Sequence, residues 1–194
     1  MSPGGHLLTT AAACVSAAVT TGSPGITAGI ALGGFLIDVD HAIDYVLFEG
    51  QRDLRPAAFL RYYMEGRARR AVLVLHSYEL LAVLAWLAWS LDAAPLAGYV
   101  FGAVMHLGLD LRYNGEYTPR SIAAFYSFGY RLAHRFDTGP LLAYAAPPVA
   151  WAGFWATFFG GIRRGRTENM GGRDMAPRPG GAVASLDTPP GSSR

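Results

Sequence analysis

The chain reads as an all-α membrane protein, a multi-span bundle of four helices running up and down, followed by a fifth hydrophobic segment broken by proline. Three observations predict this class. Of 194 residues, 52% are hydrophobic and 15% charged, with mean hydropathy +0.23, whereas a soluble domain carries about 25% charged residues. Apolar stretches approaching the ~20 residues needed to cross a bilayer recur between short polar breaks. The basic residues are also sorted along the chain: all 16 are Arg, and none precedes Arg52. This composition excludes a disordered polyampholyte and fits a soluble enzyme poorly. A single cysteine, Cys14, excludes an intrachain disulfide and a CxxC metal site.

The first stretch runs from His6 to Thr21 and stops at the turn signal Gly22-Ser23-Pro24-Gly25. Residues 1–8 lack the Lys or Arg of a signal-peptide n-region, so it reads as a retained helix. The second runs from Ile26 to Ile37 and is expected to continue helically through Asp38-Val39-Asp40-His41 to Phe48. The third, Ala71 to Leu91, is the clearest span, with Trp86 and Trp89 near its far end. Asp92-Ala93-Ala94-Pro95 breaks it, and the fourth climbs from Leu96 to Leu109 before Asp110. The fifth, Leu141 to Phe159, carries Pro147-Pro148 at its centre, which should kink or break a helix.

Loops 51–70 and 111–138 hold ten Arg residues between them, and the connections 22–25 and 92–95 hold none. The positive-inside rule places the Arg-rich side, and with it the N-terminus, in the cytoplasm. Arg163, Arg164 and Arg166 break this pattern if the fifth segment spans once. The expected organisation is a membrane-embedded domain over 1–162 and a disordered Gly/Pro/Arg-rich tail over 163–194.

Ionisable residues at the edges of spans are costly and mark functional sites. His6 starts the first helix; Asp38, Asp40 and His41 end the second; His76 and Glu79 open the third; His106 and Asp110 end the fourth. In an up-and-down bundle these four places share one end. Asp38/His41 and His76/Glu79 are three apart and His106/Asp110 four apart, so each pair shares a helical face. Carboxylates and imidazoles at such spacing build metal sites in helical bundles. The expected ligands are His6, Asp38, Asp40, His41, His76, His106 and Asp110. The expected cofactor is a divalent metal, zinc first, with manganese or iron as alternatives for a nitrogen and oxygen set without thiolate. Each motif alone has a plainer reading as a packed histidine or a solvated helix end; their convergence carries the expectation. His134 lies between Arg131 and Arg135 in a polar stretch and reads as interfacial. The Arg run at 67–70 reads as a lipid-headgroup anchor rather than a nucleic-acid patch.

Gly5-His6-Leu7-Leu8, Ile37-Asp38-Val39-Asp40-His41, Leu75-His76-Ser77 and the Gly102-to-Asp110 pattern G-x-x-x-H-x-x-x-D together resemble a family of small bacterial inner-membrane proteins. That family is described as membrane-bound metal-dependent hydrolases, with a distant likeness to zinc-dependent phospholipase C. The resemblance covers about residues 5–135 and implies the same ligands, with Ser77 as a neighbour of the site. The chain departs from the family pattern at Ile37, where proline is frequent, at Ala71, where a further histidine is frequent, and at Leu111-Arg112-Tyr113-Asn114-Gly115.

The implied activity is hydrolysis of a phosphoester or other ester of a membrane-associated substrate at the cytoplasmic face. Glu79 or Asp40 would act as the base, and the Arg residues of loop 51–70 would hold an anionic lipid headgroup. The rival class is a non-enzymatic membrane protein, either an ion carrier or a bundle clamped by a structural metal. Polar residues gathered at one end weigh against a carrier.

Overall fold

The computed structural model describes residues 1–114, 121–142 and 151–160. Its regular structure there is helical throughout, with one isolated bridge between Arg70 and Asp137. Helix α1 (Pro3–Thr21) starts on a Ser2 cap that accepts from the Gly5 amide, and it ends at Gly22 in the left-handed region (φ 62°). Helix α2 (Pro24–Gly34) is capped by Ser23 in the same manner. The longest helix, α6 (Ala94–Tyr113), follows a turn in which Asp92 also has positive φ (48°).

Helices α2 and α6 pack in parallel with their backbones in contact. On α2, Gly25, Gly29 and Gly33 recur every four residues; on α6, Gly98 and Gly102 do the same. A methyl group at Gly29 would lie 2.1 Å from the Pro95 carbonyl oxygen, at Gly33 2.0 Å from that of Tyr99, and at Gly98 2.2 Å from that of Ile26. Small residues spaced four apart permit this approach, the usual device of helix pairs in lipid.

The continuous second helix expected through Phe48 is not what forms. Helix α2 stops at Gly34, a single 3₁₀ turn spans Leu36–Asp38, α3 follows (Val39–Ile43), and a π-turn covers Asp44–Phe48. The two halves meet at a bend of 45°. Helix α4 (Pro56–Met64) then contributes Tyr62 to a buried cluster with Tyr45 and Ala68.

The expected third helix is also shorter than its apolar run. Helix α5 covers only Tyr78–Ser90, capped by Ser77, and residues 71–77 are irregular. Their hydrogen bonds explain why. Asp44 Oδ2 accepts from the amides of Val72 (2.7 Å) and Leu73 (3.2 Å), and Asp40 Oδ2 from those of Leu75 (2.6 Å) and His76 (3.2 Å). The Arg131 guanidinium, fully buried, donates to the carbonyls of Val72 (3.2 Å), Leu73 (2.8 Å), His76 (3.1 Å) and Phe125 (2.6 Å). Long-range partners replace the helical ladder and meet the requirement that buried backbone groups be paired. His76 therefore sits in a pinned loop rather than in the opening turn of a helix.

Short helices α7 (Ile122–Phe125), α8 (Phe128–Ala133) and α9 (Thr138–Leu141) supply Arg131, Tyr126 and apolar side chains to a core of Ile37, Leu73, Leu81, Ala103, Leu107, Phe125 and Leu141. Helix α10 (Phe154–Gly160) packs on α1. The Pro147-Pro148 break and the 163–194 tail lie outside the described residues.

Among the described residues, one helix, Ala94–Tyr113, is long and apolar enough to cross a bilayer alone. Pro24–Gly34 with Leu36–Phe48 qualifies only as a bent pair, and Tyr78–Ser90 is apolar but shorter.

Candidate metal centre

Six of the residues expected to converge come together, although not all from helix ends. His6 comes from the first turns of α1, His106 and Asp110 from the last turns of α6, Asp38 and His41 from the segment beyond the α2 break, and His76 from the pinned loop. Two groups form, His6 with His106 and Asp110, and Asp38 with His41 and His76; within each, one ligand atom per residue lies within 4.8 Å of the others. Both groups can hold a metal ion.

The distances are compatible with a cation, although one of them is also a hydrogen bond. His6 Nε2 is 3.0 Å from Asp110 Oδ1, and His106 Nε2 is 3.4 Å from Asp110 Oδ2. Asp38 Oδ1 lies 3.4 Å from His76 Nε2, 3.4 Å from His106 Nε2 and 3.9 Å from His41 Nε2. Ligand atoms at ~2.0–2.1 Å from a tetrahedral zinc stand about 3.3–3.4 Å apart, so these separations bracket that edge. His76 Nε2 is buried without a hydrogen-bond partner, a state that costs ~1–3 kcal/mol unless something else satisfies it.

In His106 and His76 the second ring nitrogen aims these atoms, whereas Nδ1 of His6 and of His41 is buried without a hydrogen-bond partner. His106 Nδ1 donates to the Gly34 carbonyl at 2.9 Å, and His76 Nδ1 is 3.3 Å from Asp40 Oδ2. Each contact places the proton on Nδ1 and leaves Nε2 as a lone-pair donor facing inward, the arrangement that orients metal-binding histidines. The His6 and His106 rings stack with centroids 3.8 Å apart. Asp110 accepts from Tyr126 Oη (3.0 Å) and Asn114 Nδ2 (2.7 Å).

Burial is uneven. The side chains of His76 and His106 are 1% exposed, His6 4% and Asp110 9%, whereas Asp38 and His41 are 34% and 32% exposed. Among the described residues, the exposed members of the centre are Asp38 and His41.

Two expected residues stand apart from the ligands. Asp40 is buried beside the cluster, but its Oδ2 is committed to two amides and the His76 ring, so it supports a ligand. The Glu79 carboxylate accepts from Ser127 Oγ (2.6 Å) and the amides of Phe128 (2.8 Å) and Gly129 (3.1 Å), which ties it to the start of α8. Ser77 is buried next to His76, and its hydroxyl donates to the Val74 carbonyl while capping α5. His134 bonds the Tyr130 carbonyl on α8 and joins neither group.

Sequence reasoning passed over Asp44, Tyr126, Asn114 and Arg131. Burial draws the Arg131 guanidinium below its ordinary value, and the nearby Asp40 and Glu79 carboxylates oppose that. Burial, together with the Asp110 charge, holds the Tyr126 phenol well above its ordinary value, so it stays a donor. Asp44 had a local signal, falling four residues after Asp40 on an acid-rich stretch. Arg131 had none, because its partners are carbonyls more than fifty residues away in sequence as well as one nearby.

Compared with family models, curated proteins and solved structures, the chain gives no match.

Proposed function

We propose that the chain is a membrane-embedded, metal-dependent hydrolase acting on a phosphoester or other ester of a membrane-associated substrate. The observation that carries this reading is a His/Asp centre that is rigidly held on its buried side and open along Asp38 and His41. A site meant only to tie helices together gains nothing from an open side, whereas a catalytic site needs one. Zinc is the first expectation, with manganese or iron as alternatives for this donor set.

The membrane setting draws on outward-facing apolar side chains. Val15 and Val19 on α1, Trp86 and Trp89 on α5, and Phe101 and Val104 on α6 are all more than half exposed. Apolar surface on that scale marks contact with lipid or a partner, and the Arg-sorted loops orient the centre toward the cytoplasm. Arg67, Arg69 and Arg70 line a cleft of about 520 Å³ with Phe48, Glu49 and Tyr62. Arg67 is paired with Glu65, and Glu49 is occupied by the amides of Arg69 and Arg70 and the Tyr62 hydroxyl. The Arg69 and Arg70 guanidinia therefore suit an anionic headgroup.

In this reading His6, Asp38, His41, His76, His106 and Asp110 hold the metal. When bound, it supplies Lewis acidity and a water acidified toward neutrality. The chain's other residues hold these ligands still. Asp40 keeps the proton of His76 on Nδ1, the Gly34 carbonyl does the same for His106, and Tyr126 and Asn114 fix the Asp110 carboxylate. Asp40 is thus a positioning residue.

A second reading, a structural clamp without catalysis, draws on the closed His6, His106 and Asp110 group. One experiment separates them. Metal content of the detergent-purified protein is measured for the wild type, His106→Ala and Asp110→Ala, and headgroup or phosphate release is followed on a lipid panel. Metal content reduced in both variants together with metal-dependent turnover supports the hydrolase. Metal without turnover on any phosphoester or ester supports the clamp, and metal content unchanged by the substitutions removes the metal centre.

A further inference from the structure

Six ligand side chains are more than one tetrahedral ion accepts, and they sort into two triads rather than around one point. Asp38 Oδ1 belongs to the triad of His41 and His76, yet it approaches His106 Nε2 of the other triad as closely as it does His76 Nε2, 3.4 Å in both cases. A carboxylate on such a seam is what bridges paired ions in helical bundles. The two triads differ in access. His6, His106 and Asp110 are all buried, whereas Asp38 and His41 are about one-third exposed. The side chains that surround the first triad, Tyr126 and Asn114, close it further.

Resting on the metal-centre reading above, we propose that the chain holds two divalent ions sharing the Asp38 carboxylate: an enclosed one on His6, His106 and Asp110, and an exchangeable one on Asp38, His41 and His76. The buried Nε2 of His76 makes no hydrogen bond and lies 3.4 Å from Asp38 Oδ1, which places both atoms at the second position. The enclosed ion fixes α1 against α6. The exchangeable ion faces the exit, where substrate and chelators arrive.

The test uses the full chain in detergent, loaded with zinc and assayed for bound metal before and after passage over chelating resin. Two equivalents per chain before the resin and one after are expected. His41→Ala should load one equivalent, which survives the resin; His6→Ala should load one, which does not. Loaded with manganese, the wild type should give the exchange-coupled spin-resonance signal of two nearby ions, and Asp38→Asn should reduce it to isolated-ion lines. One equivalent in the wild type, lost in both histidine variants, would overturn the two-ion proposal while leaving the metal centre standing. Two equivalents stripped at equal rates would overturn the asymmetry. No bound metal in the wild type would instead remove the metal-centre reading itself. Circular dichroism checks the fold of each variant, and if His6→Ala does not fold, the wild-type manganese spectrum still decides between one ion and two.

Discussion

Replacing Arg131 with methionine removes the side chain that takes up carbonyls within residues 71–77. Arg131 is fully buried and donates to four carbonyls, three of them in that loop. Each buried acceptor left without a donor costs ~1–3 kcal/mol. The four do not add, because the loop can shift toward water and because the variant no longer buries a cation. A net loss of about 3–5 kcal/mol, the scale for breaking a buried charged network, is the expectation. For a domain of this size that lowers the melting temperature by roughly 10 °C. The effect on metal should be larger than the stability loss alone implies, since the His76 carbonyl is one of the four and the His76 ring is aimed by the same loop. Zinc affinity of the position that uses His76 should fall about 10–100-fold, as when an orienting partner of a ligand is removed. Arg131→Lys keeps the charge but not the fork and should fall between the two. The assay is a thermal melt in detergent paired with zinc competition against a chromophoric chelator. An Arg131→Met protein that melts and binds zinc as the wild type does would refute the claim that this guanidinium organises the loop.

Asp40→Asn should lower zinc affinity about 10–100-fold with little change in helix content, because it weakens the hold on His76 without removing a ligand; competition titration with circular dichroism checks both. Glu79→Gln should leave bound metal unchanged and cost about 1 kcal/mol by weakening the α8 cap, so loss of metal would show that Glu79 serves the centre directly. Gly29→Ala and Gly33→Ala force a methyl into the Pro95 and Tyr99 carbonyls and should destabilise by at least ~1–3 kcal/mol, whereas Gly108→Ala meets open space and should be neutral or stabilising by ~0.5–1 kcal/mol; melting temperatures of the three decide. Passage over chelating resin should lower the melting temperature of the wild type by more than that of His41→Ala, since only the wild type then loses the exchangeable ion, whose binding stabilises the folded state.

What could be read from the sequence was whatever helical spacing encodes. His106 and Asp110 share a face of α6, and His6, Asp38 and His41 fall near helix ends that topology brings together; these needed only periodicity and the expectation that ionisable residues at the ends of apolar stretches are functional. The run Ala71-Val72-Leu73-Val74-Leu75 misled for the same reason: hydrophobicity alone does not tell a buried loop from a buried helix. Its true conformation follows from Asp40, Asp44 and Arg131 taking up its amides and carbonyls, and such partnerships between distant residues leave no local trace. The break after Gly34 was likewise hidden, because Phe35-Leu36-Ile37 continues the apolar pattern through it.

The glycine contact between α2 and α6 and the metal centre are two ends of one device. Gly33 and Gly102 let the helices approach until backbone meets backbone, and the last residue of α2, Gly34, then presents its carbonyl to His106 Nδ1 at 2.9 Å. A continuous helix would bond that carbonyl internally, to the amide four residues on. Because α2 breaks there, the carbonyl is left to fix the His106 tautomer, and the same break turns the chain by 45°, so that Asp38 faces His106 and His76. The orphan carbonyls of a helix C-terminus ordinarily need water or a cap. Here one of them is satisfied by a histidine of the candidate centre, which couples the end of α2 to the position of Asp38. A bulkier residue at position 33 or 102 would therefore disturb the ligands as well as the packing, even though neither glycine touches the metal-binding atoms.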